Sequence, residues 1–284
     1  MNDSASTRLF AVIGNPVAHS RSPAIHAQFG IQTGIALRYD AIASPLDRFE
    51  ATVRGFFDQG GAGLNVTVPF KEEAWALAGD GLSARARLAG AVNTLWMEGG
   101  RLRGCNTDGV GLLADLRRLD ADPKDRRVLL VGAGGAAKGV VFPLLEAGCA
   151  ALRIVNRGEA RALALWDHIV RHMPLQAARV SAGGLDQAQG AWDIVVNATS
   201  SSLDGQAPAL AGAAYAGRAL AYDMMYGPRP TPFMLRAAGQ GAARTTDGLG
   251  MLVGQAAASF ALWHGVMPDV EPVLRLLREQ LGGG

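Results

Sequence analysis

Residues 127–137 read RVLLVGAGGAA, and this stretch decides the fold of the second half of the chain. Its apolar start, Val128–Val131, predicts a buried β-strand, and the residues after the glycines predict a helix. Gly132, Gly134 and Ala137 fit the pattern Gly-x-Gly-x-x-Gly/Ala at the junction of the two. In this context the first glycine permits a tight turn, and the second lets the backbone approach a pyrophosphate. The stretch therefore predicts a nucleotide-binding turn at the start of a helix.

Strand and helix signals alternate on both sides of this turn. Leu9–Ile13 predicts a strand, and Ser22-Pro23 opens a helix in which Ser22 is suited to cap the free amides. Repeated strand–helix units are typical of α/β proteins with parallel sheets. We therefore predict an α/β fold of two domains. The expected domains are an N-terminal α/β substrate domain, residues 1–108 plus 249–284, and a Rossmann-type, doubly wound dinucleotide-binding domain, residues 109–248.

Composition and charge narrow the class of protein. Apolar residues make up 49% and charged residues 18%, and the net charge is +2 without a dense basic block, so we expect a globular protein that does not bind nucleic acid. Cys105 and Cys149 match no metal or disulfide spacing, which predicts no metal site and a reducing, cytoplasmic location. The uncharged stretch between Asp247 and Asp269 is broken at Pro268, so a buried helix is expected and no membrane span.

The strand after the glycine turn ends in Asn156-Arg157, and Arg161 follows shortly after it. A site for NAD usually places an acidic side chain here, where it binds the ribose 2′-hydroxyl. No carboxylate stands at this strand tip, and two guanidinium groups are suited to hold a phosphate instead. The pattern favours NADP over NAD; the alternative is that Arg157 and Arg161 form only a solvated helix face.

Lys71 and Asp108 are the candidates for handling a proton. Reduction of a ketone places negative charge on its oxygen, so a cation or an acid is needed beside it. Lys71 follows a predicted strand, at the end where parallel sheets place their sites, although a lone lysine is more often a solvated surface residue. Asp108 stands near the predicted domain boundary, where clefts form, although capping of the amphipathic helix predicted over Asp108–Leu119 would also explain it.

Further polar residues accompany this pair. Ser20 and Ser22 lie at the start of the first predicted helix. Their hydroxyls and the free amides of the helix are suited to bind a carboxylate, unless Ser22 serves only as the helix cap. Leu64–Val68 predicts a strand, with Asn65 and Thr67 on one side of it. Asn93 lies in a predicted hairpin that turns at Glu98-Gly99-Gly100, where Asn93 is either a site residue or structural.

The order of these motifs resembles the shikimate dehydrogenase family over nearly the whole chain, from Phe10 to Leu281. The segments that carry the resemblance are Gly14-Asn15-Pro16, Ser20-Arg21-Ser22-Pro23, Asn65 through Lys71, Ala91-Val92-Asn93-Thr94, Asn106-Thr107-Asp108-Gly109, Gly132 through Ala136, Asn156-Arg157, Asn197-Ala198-Thr199-Ser200, and Asp247 through Leu252 with Gln255. Several of these segments are long and stand in the family's order, which a chance match would not reproduce.

The resemblance implies an oxidoreductase of aromatic amino-acid (chorismate) biosynthesis that reduces 3-dehydroshikimate to shikimate reversibly with NADPH. It implies that Lys71 accepts the proton when shikimate is oxidised and donates it in reduction, with Asp108 as its partner. The implied substrate-binding residues are Ser20 and Ser22 for the carboxylate, and Thr67, Asn93, Asp108 and Gln255 for the ring hydroxyls, with Tyr226 nearby. The implied cofactor-binding residues are Gly132, Ala133, Gly134, Gly135 and Ala136 for the pyrophosphate, Asn156, Arg157 and Arg161 for the ribose phosphate, and Met224 and Gly248 beside the nicotinamide.

Three alternatives stay open at this point. A quinate/shikimate dehydrogenase that uses NAD would share the fold, and Gly158 stands where the family often has Thr, so one hydroxyl contact to the phosphate is lost. A lyase would use Lys71 to form a Schiff base. A non-catalytic relative would bind NADP without turnover. In each case the expected partner is a small molecule, and the chain is expected to be a monomer or a homodimer.

Overall fold

The computed structural model describes residues 7–282, and the polar residues at the very start of the chain lie outside that range. Its β-strands are β1 (Arg8–Gly14), β2 (Leu37–Ala43), β3 (Gly61–Val66), β4 (Thr94–Glu98), β5 (Arg101–Cys105), β6 (Arg127–Val131), β7 (Ala151–Asn156), β8 (Val180–Gly184), β9 (Gly190–Asn197), β10 (Ala213–Asp223) and β11 (Arg244–Thr246). Its α-helices are α1 (Ser22–Thr33), α2 (Phe49–Asp58), α3 (Lys71–Ala78), α4 (Ala84–Ala89), α5 (Asp108–Arg118), α6 (Gly135–Glu146), α7 (Glu159–His172), α8 (Pro232–Gly239), α9 (Leu249–His264) and α10 (Val270–Gly282).

The chain forms two compact units. The first contains the described residues up to Thr107 and the segment Val253–Val273, and the second contains Asp108–Leu252 and the described residues from Leu274 onward. The boundary between the units therefore falls between Thr107 and Asp108 and, near the C-terminus, inside α9 and α10. The domain limits expected from the sequence, 1–108 plus 249–284 and 109–248, stay a prediction beside this division.

The first unit is built on a mixed sheet of five strands in the order β2-β1-β3-β4-β5. Strand β1 pairs in parallel with β2 and with β3, whereas the β3–β4 and β4–β5 pairs are antiparallel. Strands β4 and β5 form the hairpin predicted around Glu98-Gly99-Gly100. One face of the sheet buries Phe49 and Phe70, whose rings stack with centroids 4.7 Å apart. This core holds the carboxyl ends of β1 and β3 in place, where polar residues follow.

The second unit has a six-stranded sheet in the order β11-β10-β9-β6-β7-β8, and every pair in it is parallel. When β6 is counted as the first strand of this unit, the sheet has the strand order 3-2-1-4-5-6 of dinucleotide-binding folds, and the order reverses between β6 and β9. Ligands of such sheets bind at the carboxyl ends of the strands near this reversal. The predicted α/β class with a doubly wound domain is thereby confirmed.

Local boundaries show where sequence patterns were accurate and where they were not. The helix predicted from Asp108 is α5, and the uncharged stretch after Asp247 forms α9 as expected. The prediction that Ser22 caps α1 is wrong: Ser22 is the first residue of the helix, and the cap position is Arg21, which has a right-handed helical conformation and makes no capping bond with its side chain. Side-chain capping needs an extended residue before the helix, which Arg21 does not provide. Within residues 7–282, no helix combines the length and apolarity needed to cross a membrane.

Candidate functional site

The glycine turn follows β6 directly. Gly132 has φ +116°, a conformation that side chains other than glycine rarely adopt, and an added Cβ would lie 3.2 Å from the backbone of Ala198. The surroundings of Gly134 are open, because an added Cβ there would have no neighbour within 4 Å. Gly132 is therefore required by the fold, whereas Gly134 leaves open space above the turn.

The start of α6 is suited to bind an anion. Gly134 is its N-cap residue in an extended conformation and, having no side chain, cannot accept hydrogen bonds from the first amides of the helix. These amides, together with the positive end of the helix dipole, attract negative charge. The residues present thus fit the pyrophosphate of a dinucleotide: a positive-φ glycine turns the chain, and the space beside Gly134 admits the ligand.

The ends of four neighbouring strands form one continuous edge beside this turn. Val131 of β6 pairs with Val155 of β7 and with Asn197 of β9, and Asn197 pairs with Asp223 of β10. From β7 to β10 the edge spans three inter-strand spacings, or about 14 Å. An extended dinucleotide can therefore be contacted from several strand ends at once.

The residues predicted to hold the ribose phosphate lie at the β7 end of this edge. Asn156 is the last residue of β7, and its Nδ2 donates to the carbonyl oxygen of Gly158 at 2.9 Å. Arg157 and Arg161 are both exposed, on the turn and on the first part of α7. The following carboxylate, Glu159, accepts a hydrogen bond from Nε2 of Gln187 at 2.8 Å.

The residues predicted to border the nicotinamide lie at the β10 end. Met224 follows β10, and the backbone of Gly248 packs on it so closely that a Cβ on Gly248 would fall 2.2 Å from the Met224 carbonyl oxygen. The Gly248 amide also donates to the Met225 carbonyl oxygen at 3.0 Å. Gly248 therefore contacts the backbone just after β10, although it lies more than twenty residues further along the chain. Tyr226, the remaining residue predicted in this region, follows Met225 directly.

Asp108 opens the second unit. It is the first residue of α5, and its side chain is buried at 5% exposure. A carboxylate at this position interacts favourably with the positive end of the helix. The next residue, Gly109, packs against α6, where a Cβ would clash with Pro143 and with the Gly139 carbonyl oxygen. The position of Asp108 is thus set by close packing of α5 on α6.

In the first unit, Lys71 and Thr67 follow β3. The strand ends at Val66, two residues before the predicted Val68, and Thr67 continues from it with its amide donating to the Ile13 carbonyl oxygen at 2.9 Å. Lys71 is the half-buried first residue of α3, and its carbonyl oxygen accepts from the Val92 amide at 2.9 Å. Lys71 is therefore fixed beside the start of the β4 hairpin.

Asn93 and Gln255 meet within the first unit although they lie on a loop and on α9. Asn93 Nδ2 donates to Gln255 Oε1 at 3.2 Å and to Thr107 Oγ1 at 2.9 Å. The Thr107 amide donates in turn to Asn93 Oδ1 at 2.9 Å. Asn93 is 2% exposed and Gln255 is half-buried, so the pair is ordered by protein contacts before any ligand binds.

A buried polar chain extends from this pair; of its members, the sequence indicated Asn65 but not Tyr39 or Ser259. Ser259, one turn after Gln255 on α9, accepts from Asn65 Nδ2 at 3.0 Å, and Asn65 Oδ1 accepts from the Tyr39 hydroxyl at 2.7 Å. Burial raises the pKa of Tyr39 well above its usual range, so its hydroxyl stays protonated as a donor. The available signal was the i, i+4 spacing of Gln255 and Ser259 in an otherwise apolar helix.

Ser20 and Ser22 lie at the other end of this chain. Ser20 Oγ accepts from the Ser22 amide at 3.3 Å, and the buried Ser22 side chain hydrogen-bonds to Tyr39. His26, one turn further along α1, stacks on Tyr39 with centroids 4.3 Å apart. Burial lowers the pKa of His26 to about 3, so the ring is neutral near pH 7. The residues expected to bind a carboxylate and those expected to bind hydroxyls are thus linked by hydrogen bonds.

Comparison with known proteins gives the same assignment along the chain. Family models described as "Shikimate dehydrogenase substrate binding domain", "Shikimate / quinate 5-dehydrogenase" and "Shikimate 5'-dehydrogenase C-terminal domain" match residues 12–95, 115–204 and 248–278. A relative named shikimate dehydrogenase (NADP(+)) from Bordetella avium is 61% identical over 284 residues, covering 99% of each chain.

Solved structures extend the likeness to the fold. An Ael1 enzyme from Pseudomonas putida superposes with a TM-score of 0.86 at 45% identity, covering 95% of this chain and 98% of that one. Shikimate 5-dehydrogenase from Thermus thermophilus, solved with NADP(H) and shikimate, gives a TM-score of 0.82 at 34% identity, covering 97% of this chain and 100% of that one. This chain therefore belongs to the shikimate dehydrogenase family.

Proposed function

We propose that this protein is an NADP-dependent shikimate dehydrogenase that reduces 3-dehydroshikimate reversibly to shikimate in chorismate biosynthesis. The observation that carries the proposal is the edge formed by Gly132, Asn156 and Met224 at the carboxyl ends of parallel strands, beside a helix start without a side-chain cap. A relative that is 61% identical over its full length bears the same activity in its name. Family and edge geometry together support a hydride-transfer enzyme.

Lys71 is the proposed acid–base residue of the reaction. NADPH, held by residues 132–136 and the end of β7, would supply the hydride needed to reduce the substrate carbonyl. Negative charge then develops on the carbonyl oxygen, and the Lys71 ammonium stabilises it and donates a proton from Nζ to that oxygen. In shikimate oxidation the same amine accepts the proton, and Asp108 is its proposed partner, which orients the substrate hydroxyl.

The proposed substrate contacts use the linked polar chain of the first unit. Ser20 and Ser22 bind the carboxylate with their hydroxyls at the start of α1, where the positive end of the helix dipole attracts negative charge. Thr67, Asn93 and Gln255 bind ring hydroxyls. Asp108 and Tyr226 of the second unit are proposed to complete the set. Because Asn93 and Gln255 already hold each other at 3.2 Å, little side-chain freedom is lost when the ring binds.

The proposed cofactor contacts follow the strand edge of the second unit. Residues 132–136 bind the pyrophosphate, and Asn156, Arg157 and Arg161 bind the ribose phosphate. Both arginines are exposed at the end of β7, where a planar guanidinium can hold a phosphate with two hydrogen bonds. Met224 and Gly248 border the nicotinamide. We further propose that the enzyme acts in the cytoplasm as a monomer or a homodimer.

A cofactor-absorbance assay tests this function. Purified enzyme is supplied with shikimate or quinate, each with NADP or NAD, and the rate of reduced nucleotide formation gives four values of kcat/KM. The proposal expects the highest value for shikimate with NADP. A higher value for quinate with NAD would favour the alternative dehydrogenase, and no turnover with any pair would refute the activity.

The rival use of Lys71 as a Schiff-base lysine is tested separately. Enzyme is incubated with 3-dehydroshikimate and borohydride, and the intact mass is measured. The proposed mechanism forms no covalent intermediate, so the mass stays unchanged. A stable adduct on Lys71 would show that this lysine forms a Schiff base and would favour a lyase mechanism.

A further inference from the structure

A buried carboxylate without an assigned role lies at the end of β10. Asp223 is 0% exposed and stands next to Met224 at the strand edge described above. Its Oδ1 accepts from Asn197 Nδ2 at 3.0 Å and from the Met225 amide at 3.1 Å. Its Oδ2 accepts from the hydroxyls of Ser202 and Thr231, each at 2.6 Å. Four donors from separate segments therefore converge on one side chain.

These four bonds use the full capacity of the carboxylate. An ionised carboxyl group has about four lone-pair sites, and each is occupied here. Hydrogen bonds to a charged acceptor are stronger than neutral ones, and a buried charge is tolerated only when it is paired or fully hydrogen-bonded. Asp223 and its donors therefore fix one another, so a change at Asp223 moves all four segments.

The first of these segments faces the glycine turn. Asn197, held by Asp223, accepts at Oδ1 from the Thr199 amide at 3.2 Å and from the Thr199 hydroxyl at 2.7 Å. This bends the chain after β9 so that Ala198 and Thr199 lie against Gly132, where a Cβ would be 3.2 Å from each. The carboxylate thus supports the wall of the pyrophosphate turn through Asn197.

The second segment carries the residues expected beside the nicotinamide. The Met224 amide donates to the Asn197 carbonyl oxygen at 2.9 Å, and the Met225 amide donates to Asp223 itself. Gly248 then docks on this segment through its bond to the Met225 carbonyl oxygen. Asp223 therefore sets the path by which the chain leaves β10 and reaches Gly248.

We propose that Asp223 is the positioning residue of the cofactor edge, because it holds the pyrophosphate wall and the nicotinamide-bordering segment in register with each other. It acts through Asn197 and Met225 and does not touch the cofactor. This inference rests on the proposed function, since it takes residues 132–136, Met224 and Gly248 as cofactor contacts.

Loss of the Asp223 side chain should weaken binding of the cofactor and leave the substrate-binding residues of the first unit in place. Asp223→Ala leaves the Asn197 amide group and the Met225 amide as buried donors without an acceptor, so both segments shift. We expect the Kd for NADPH to rise about tenfold or more. Thr231→Val removes one donor to Asp223, together with the acceptor that caps α8 at the Met234 amide, and should raise the Kd about threefold, whereas Thr231→Ser keeps the hydroxyl, both hydrogen bonds and the wild-type Kd.

The test measures NADPH binding directly, by fluorescence titration of each variant without substrate. The matched control is Tyr222→Phe. Tyr222 precedes Asp223 on β10, so its side chain points to the other face of the sheet, where its hydroxyl donates to Asp115 at 2.6 Å. That variant loses two buried hydrogen bonds, the one to Asp115 and the one from the Met251 amide at 3.3 Å, and with them stability, but its Kd should match the wild type. Melting temperatures are recorded for every variant to compare losses of stability.

The outcomes separate the two proposals. If wild-type enzyme does not bind NADPH, the proposed function fails. If it binds and Asp223→Ala and Thr231→Val bind equally well, or Tyr222→Phe weakens binding as much as they do, Asp223 has no positioning role. If Asp223→Ala does not fold, the Thr231→Val and Thr231→Ser pair decides: weakened binding in Val that Ser restores supports the proposal, and equal binding in both overturns it.

Discussion

Asn93 donates a hydrogen bond to Gln255 across 162 residues of sequence, with Nδ2 3.2 Å from Oε1. The family resemblance implies a substrate role for each residue separately, and the fold brings them into one buried network with Thr107. A network formed before ligand binding presents its remaining donors and acceptors in a fixed geometry. If Asn93 and Gln255 bind the ring hydroxyls as proposed, the specificity of the site should depend on both residues together.

This pairing predicts coupled mutational effects. Asn93→Ala, Gln255→Ala and the double variant should each lower kcat/KM for shikimate, and the double loss should differ from the sum by about 0.5–3 kcal/mol because the residues are in contact. Steady-state kinetics at saturating NADP measures the cycle. Gln32→Ala is the control partner, since its side chain bonds to the distant Asp269 carbonyl oxygen. Additive losses for Asn93 with Gln255 would show that the pair does not act jointly.

The two glycines of the turn should respond oppositely to substitution. Gly132→Ala strains a residue at φ +116° and crowds Ala198, so the free energy of unfolding should fall by more than about 1 kcal/mol. The Cβ of Gly134→Ala meets no neighbour, so the free energy of unfolding should change by less than about 0.5 kcal/mol, and the larger Gly134→Val should raise the Kd for NADPH because its branched side chain fills the proposed ligand space. Chemical unfolding and NADPH titration give both quantities. Tight NADPH binding by Gly134→Val would disprove the placement of the pyrophosphate.

Selectivity for NADP should be adjustable at the end of β7. Gly158 has φ −95°, and a Cβ there would lie 3.8 Å from Asn156 Nδ2, so threonine fits without strain. Gly158→Thr adds a hydroxyl for the phosphate and should raise the ratio of kcat/KM for NADP to that for NAD. Arg157→Gln removes a guanidinium and should lower the same ratio by about tenfold. An unchanged ratio in Arg157→Gln would assign that arginine to the solvated surface.

Acid should destabilise the first unit through His26. Its pKa is lowered to about 3 by burial, so below pH 6.5 the unfolded chain binds a proton that the folded chain rejects. Stability is therefore fully present above pH 6.5 and is lost as the pH falls toward 3, by up to about 1.4 kcal/mol per pH unit. Urea unfolding at several pH values measures the slope.

His26→Phe is the matched variant for this pH dependence. It keeps an aromatic ring against Tyr39 and cannot be charged, so the slope should become shallower. It should not vanish, because burial also lowers the pKa of His264, to about 4. Identical slopes in wild type and His26→Phe would show that His26 does not control acid stability.

The sequence predicted those features that depend on local chemistry. The stretch from Val128 to Ala137 was sufficient to place a strand, a positive-φ turn and a helix, because only glycine tolerates the turn. The hairpin at Gly99-Gly100 was predicted for the same reason, and the start of α5 at Asp108 was predicted because aspartate is a favoured residue at helix starts. Such signals are contained in a few adjacent residues.

Features that depend on distant contacts were not predictable in this way. The chain from Tyr39 through Asn65 to Ser259 joins residues of β2, β3 and α9, and periodicity indicates only the face of each residue and never its partner. The four-donor environment of Asp223 is of the same kind. The misassigned cap at Ser22 has a different cause, since the choice between an extended and a helical Arg21 depends on how α1 packs.

The most direct test of the catalytic proposal is the kcat of Lys71→Ala in shikimate oxidation with NADP. A lost acid–base group should lower kcat by about 100-fold or more with little change in the KM for shikimate. Lys124→Ala, at an exposed position of the second unit, should keep the wild-type kcat. An unchanged kcat in Lys71→Ala would remove Lys71 from the mechanism and contradict the proposed proton transfer.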